Sequence, residues 1–91
     1  KNDLVQAEKY LKQSHDLNPN DAETNRLLGI AYGMAGQHQQ SIAYFENVVK
    51  LSPKEAGGYL NLSMAYGYIN DQENAQKYRE MALKIDPSLR K

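Results

Sequence analysis

The sequence predicts an all-α fold: an α-α superhelix of five helices, stacked as antiparallel helical hairpins in about two and a half repeating units. Three observations predict it. The prolines Pro19, Pro53 and Pro87 are spaced 34 residues apart. Other residues keep the same step: Leu28 with Leu62, Tyr32 with Tyr66, the triplet Tyr10, Tyr44 and Tyr78, and the triplet Leu17, Leu51 and Ile85, each two residues before its proline. Apolar residues recur at helical spacing, and no strand-like alternation competes with it.

Each element follows in order. A first helix is expected over 4–17, with Leu4, Ala7, Leu11 and Leu17 inward. Residues 22–35 carry Leu28, Ala31, Tyr32 and Ala35 at i, i+3, i+4 and i+7, one face of a second helix. Gly36-Gln37-His38 breaks it. Residues 39–51 carry Ile42, Phe45, Val48, Val49 and Leu51, a third amphipathic helix. Ser52-Pro53-Lys54-Glu55 reads as a capping box, with proline at a first helical position. The plan then repeats: a helix over 56–69, a turn at Asn70-Asp71, and a helix over 72–85. Asp71 and Glu73 are helix-start acids that favour the macrodipole. Asp86-Pro87-Ser88-Leu89 reads as the start of another helix.

Composition narrows the function. Eleven Lys and Arg balance eleven Asp and Glu over 91 residues, which argues against a nucleic-acid binder and against a polybasic membrane anchor. Cysteine is absent, so there is no disulfide framework, thiol nucleophile or zinc-thiolate site. Mean hydropathy is −0.77, and no apolar run approaches the ~18 residues of a membrane span. His15 and His38 lie on different helical segments without carboxylates at ligand spacing, so neither a metal nor another cofactor is expected. Asp16 beside His15 implies no nucleophile. Asn61-Leu62-Ser63 matches a glycosylation sequon but falls inside an expected helix. Gly29, Gly33 and Gly36 sit at helical spacing and form no phosphate cradle. The seven tyrosines have no basic groove beside them and read as packing residues.

The middle unit carries Leu28-Gly29, Tyr32, Gly36, Phe45 and Pro53, and the third carries Tyr59, Leu62, Tyr66, Ala75, Ala82 and Pro87. With the 34-residue helix–turn–helix step, this pattern resembles the tetratricopeptide repeat family. The resemblance covers the whole chain: a partial repeat at 1–21 holding the second helix only, full repeats at 22–55 and 56–89, and a fragment of a longer array as the expected whole. Tyr59 stands where the family often has Trp. Three departures stand out: Asn25 at the position of Tyr59, Ser41 in place of the usual Ala, and Arg79 at the position of Phe45, with Tyr78 the candidate to pack in its stead.

The resemblance implies a non-catalytic interaction scaffold whose first helices line a concave face. The residues placed there are Arg26, Leu27, Ile30 and Met34 in the middle unit and Leu60, Asn61, Met64 and Tyr68 in the third. Leu27, Ile30 and Met34 lie at i, i+3 and i+7, and Leu60, Met64 and Tyr68 at i, i+4 and i+8, so both helices are apolar on a second side. That side either packs on a neighbouring repeat or forms a groove for a peptide or helix of a protein partner. Asn61 offers an amide to a ligand backbone, and Arg26 a cation to an acidic group. The subset of the family that clamps acidic chaperone tails is a poor match, because Ile30 stands where an Asn is expected. The alternative roles are an accessory segment that positions an enzyme or regulatory domain elsewhere in a longer chain, and a homo-oligomer formed through exposed end helices. Part of Leu4, Ala7, Tyr10 and Leu11 is expected to be bare.

Overall fold

Among the described residues, five α-helices follow one another without strands: α1 (Asn2–Leu17), α2 (Ala22–Met34), α3 (His38–Leu51), α4 (Ala56–Tyr68) and α5 (Gln72–Ile85), closed by a 3₁₀ turn, Pro87–Arg90. The computed structural model describes the backbone of residues 2–17 and 20–90, and the side chains of these except 2–5, 7, 8, 11, 14 and 90. The inward placement of Leu4, Ala7 and Leu11, and Pro19, lie outside the described residues. Each helix packs on the next in the chain, α1 on α2 through to α4 on α5.

The helix ends show why the hairpins form. Asp21 caps α2, its carboxylate accepting from the Glu23 N–H (3.1 Å) and the Thr24 hydroxyl (2.7 Å). Asp71 caps α5 in the same way, accepting from the Asn74 N–H at 3.2 Å. The two hairpin turns lie one repeat apart, at Gly36 (φ 81°) and Asn70 (φ 63°). Both positions require left-handed backbone, which glycine and asparagine tolerate better than other residues. The residue after each turn position donates back into the preceding helix, Gln37 N–H to Tyr32 O and Asp71 N–H to Tyr66 O, both at 2.9 Å.

The core lies between α3 and α4. Ile42, Phe45, Leu62 and Ala65 are buried together, with Val49, Tyr66, Ile69 and Tyr78 packed against them. Gly29 permits the close approach of α2 and α3: a Cβ there would stand 2.5 Å from a ring carbon of Phe45. The sequence departures are used. Asn25 is fully buried; its Nδ2 donates to Asp21 O (2.9 Å) and its Oδ1 accepts from Asn47 Nδ2 (3.2 Å). Ser41 is buried and donates its hydroxyl to Gly29 O at 2.7 Å. Arg79 is exposed where Phe45 is buried, and Tyr78 packs on the core instead, stacked on Tyr66 at 5.6 Å. Tyr66 donates to Glu46 Oε2 at 3.2 Å. Burial first, and then the Glu46 carboxylate, push its hydroxyl up to about 12.

Four sequence expectations need correcting. Leu17 is 88% exposed rather than inward. It closes the last turn of α1, and its counterparts at the ends of α3 and α5, Leu51 and Ile85, are exposed too. Ala35 is exposed, because α2 ends at Met34 and Ala35 is already its C-cap. Ser52 and Glu55 form no capping box: Ser52 is the C-cap of α3, Glu55 is an N-cap without a side-chain bond, and the Glu55 N–H instead donates to Ser52 O across a turn. Pro53 lies in that turn and not in the first turn of α4. Tyr44 and Tyr78 each stack on a tyrosine of the preceding helix, Tyr32 at 5.4 Å and Tyr66 at 5.6 Å. No described helix precedes α1, and Tyr10 is 69% exposed, as expected.

Candidate functional site

α2 and α4 begin successive units and lie on the same side of α3. The step of 34 residues puts their second apolar stripes in register: Ile30 corresponds to Met64 and Met34 to Tyr68. The structure brings these four side chains to the walls of one groove of about 390 Å³. Asn61 joins them from α4. Gly29 and Gly33 of α2, Ser41 and Phe45 of α3 and Ala65 of α4 complete the lining, and Gly36 and His38 lie at the hairpin end.

The walls are apolar yet open to solvent: Met34 is 72%, Met64 59% and Tyr68 66% exposed. Methionine at such a site adapts its shape to what it meets. Tyr68 is held by His38, the two rings stacking at 4.8 Å and 8°. The Nδ1 atom of His38 is buried and has no hydrogen-bond partner among the described residues. The Ser41 hydroxyl, committed to Gly29 O, leaves the lining there with little free polarity. Among the described residues, no Lys, Arg, Asp or Glu lines the groove.

Of the eight side chains expected on this face, Ile30, Met34, Asn61, Met64 and Tyr68 come together. Arg26, Leu27 and Leu60 lie outside the lining. Arg26 is ion-paired with Glu23 one turn back on its own helix. Leu27 is exposed and Leu60 half-buried. The sequence reading missed the α3 contribution, Ser41 and Phe45, and the place of His38. Ser41 and Phe45 fall on a stripe that reads as core. Their only signal was the pair Gly29 and Gly33, which leaves α2 without side chains over Phe45 and Ser41.

A second recess, about 630 Å³, lies between α4 and α5 and is lined by Ser63, Gln72, Ala75, Gln76, Arg79, Glu80 and Leu83. It is polar where the corresponding surface of α3 presents Ile42 and Phe45. No helix is long and apolar enough to cross a membrane among the described residues.

A tetratricopeptide repeat model matches residues 22–55 and again 56–89. No curated protein matches the sequence closely enough to mark a relative. Among solved structures the chain is similar to MamA, with 24% identity and a TM-score of 0.89 over 94% of this chain and 50% of that one. It is also similar to YrrB, described as a TPR protein with an unusual peptide-binding site, with 26% identity and a TM-score of 0.88 over 92% of this chain and 43% of that one. A further MamA structure gives 25% identity and 0.86 over 92% and 46%. The chain spans half the length or less of these three structures.

Proposed function

The chain belongs to the tetratricopeptide repeat family, a family of protein-interaction scaffolds that is generally non-catalytic, and we propose that it holds a segment of a protein partner in the groove between α2 and α4. One observation carries the reading. Ile30, Met34, Met64 and Tyr68 are exposed on two different helices and converge on one concavity. Solvent-facing apolar residues scattered singly need no explanation, whereas four converging on a groove mark a docking surface. The peptide-binding site named for YrrB, a structure with the same fold, supports the same kind of use. Affinity capture from the native source tests it, comparing the wild-type chain with Met34→Glu and Met64→Glu. Loss of the same partner from both variants, with the fold intact by circular dichroism, is the expected result. An unchanged partner set would refute the groove.

A second reading rests on the ends. Tyr10 and Leu17 of α1 are exposed, and the recess between α4 and α5 is open. These surfaces suit further repeats of a longer chain, with residues 1–91 as one domain of it, or contact with a second copy. Sedimentation over a range of concentrations separates the two, since only self-association gives a mass that rises with concentration.

A further inference from the structure

Resting on that groove reading, we propose that Met34 and Met64 form an oxidation switch: peroxide converts both to sulfoxides, which turns the apolar walls of the groove polar and releases its occupant without unfolding the chain.

Composition singles out the target. The chain has three methionines and neither cysteine nor tryptophan, so no thiol competes for the oxidant and the thioethers take it up most readily. Two of the three line one groove. Exposure separates them from the third. Met34 is 72% and Met64 59% exposed, whereas Met81 is half-buried beside the buried Ala82 and Leu83. In the reaction a sulfur lone pair attacks one peroxide oxygen, the S–O bond forms and the O–O bond breaks. Sulfur gives two electrons to the peroxide, and the departing hydroxide takes the proton of the transferred oxygen and becomes water. A methionine sulfoxide reductase reverses the change, oxidising a dithiol to a disulfide and releasing the oxygen as water.

The fold tolerates this change where the groove does not. Neither methionine belongs to the cluster of Ile42, Phe45, Leu62 and Ala65 or to the residues packed against it, and Met34 is the last residue of α2. In the groove a sulfoxide puts a polar, chiral group in place of a flexible apolar one. Its oxygen loses water when covered and needs a donor in exchange, which an apolar segment does not bring. The Ser41 hydroxyl of the lining already donates to Gly29 O at 2.7 Å. An apolar occupant held between Met34 and Met64 is therefore released on oxidation and taken back on reduction.

The test exposes the full, folded chain to dilute hydrogen peroxide. Peptide mass spectrometry times oxygen uptake at each methionine, and circular dichroism follows the fold. ¹H–¹⁵N NMR follows the Gly29, Gly33 and Ala65 amides during titration with N-acetyl-leucinamide, a neutral, apolar and soluble probe. Met34 and Met64 are expected to oxidise at least about 3-fold faster than Met81, with the rates converging in urea and the helical signal unchanged in its absence. Oxidation weakens the probe about 3- to 10-fold, and methionine sulfoxide reductases with dithiothreitol restore it. Met81→Leu keeps this response. The double variant Met34→Leu, Met64→Leu, whatever its starting affinity, loses it. Met81 oxidising as fast as the other two in the folded chain, or helix lost as they oxidise, would overturn the switch. Probe binding unchanged by oxidation yet weakened by Met64→Glu would overturn the switch and leave the groove reading standing. Amides that do not move with the probe before oxidation, or move alike in Met34→Glu and Met64→Glu, would overturn the groove reading and the switch that rests on it.

Discussion

Gly29→Ala is the sharpest perturbation of the hairpin that positions the groove. A Cβ at this position would stand 2.5, 2.7 and 2.9 Å from three carbons of the Phe45 ring, against the roughly 3.5–4.0 Å of a normal carbon contact. Phe45 is buried with Ile42, Leu62 and Ala65, so the ring can yield only toward the groove and at the cost of its core contacts. Overpacking a tight core costs about 1–3 kcal/mol, and contact with three ring atoms places this case in the upper half of that range. Alanine returns about 1 kcal/mol of helix propensity over glycine. The net expectation is a loss of about 1–2 kcal/mol, or roughly 5–15 °C in Tm for a domain of this size. Gly67→Ala is the matched control: it lies in α4, and a Cβ there meets nothing within 4 Å, so it should be neutral or stabilise by up to about 1 kcal/mol. Urea and thermal unfolding followed by circular dichroism measure both. In a Phe45→Leu background the Gly29→Ala penalty should shrink, which makes the pair non-additive. If Gly29→Ala raised Tm as much as Gly67→Ala, the close approach of α2 and α3 would be wrong.

Removing the α5 cap with Asp71→Ala should cost about 1 kcal/mol, read by urea unfolding, since the Asn74 N–H loses its side-chain acceptor. Leu17→Ser should change stability by less than about 0.5 kcal/mol in the same assay, as expected for a solvent-facing site. Between pH 10 and 12 the unfolded chain loses its Tyr66 proton while the folded chain, with that hydroxyl pushed up to about 12, keeps it. Stability contributed by this group is therefore present below pH 10 and falls as pH rises through this window, because the unfolded state binds fewer protons. Tyr66→Phe should flatten that alkaline decline when unfolding is compared at pH 9 and 11.5.

Much of the fold was legible because one signal was repeated. Pro53 and Pro87, Tyr32 and Tyr66, and Leu28 and Leu62 each keep the 34-residue step, so a mistake at one position is checked at another. The turn at Gly36 and its counterpart Asn70 share one backbone conformation for the same reason. The errors fall at helix ends, where single residues decide. Leu17 and Ala35 fit a helical stripe by spacing, but a stripe does not say where the covering helix stops. Ser52 and Glu55 have the right identities for a capping box, yet the chain spends those residues on a turn between α3 and α4. In the groove, the wall residues Ile30, Met34, Met64 and Tyr68 were legible as a stripe without a partner. The Ser41 and Phe45 contribution was not, because it depends on two glycines opening a view through α2 onto α3.

α4 carries the tension between the two faces. Tyr59, Leu62 and Ala65 are buried, and Met64 and Tyr68 on the other side are exposed. A helix apolar on all sides is ordinarily buried. α5 is polar where it faces solvent: Gln76, Lys77, Arg79 and Glu80 are all exposed there. The apolar side of α4 is therefore a local feature and not a general surplus of apolar residues. Its energetic reach is bounded. Covering the exposed parts of Met34, Met64 and Tyr68 releases about 3–6 kcal/mol at about 1.5–3 kcal/mol per fully buried side chain. Association itself costs about 4 kcal/mol or more. On the proposed groove reading, a segment confined to the groove is thus held no tighter than roughly tens of millimolar. Any tighter complex must extend along α2 and α4 toward Leu27 and Leu60. These two residues lie on the same helices and outside the groove, so on the proposed reading Leu27→Ala or Leu60→Ala weakens a longer partner segment and leaves a short one unaffected.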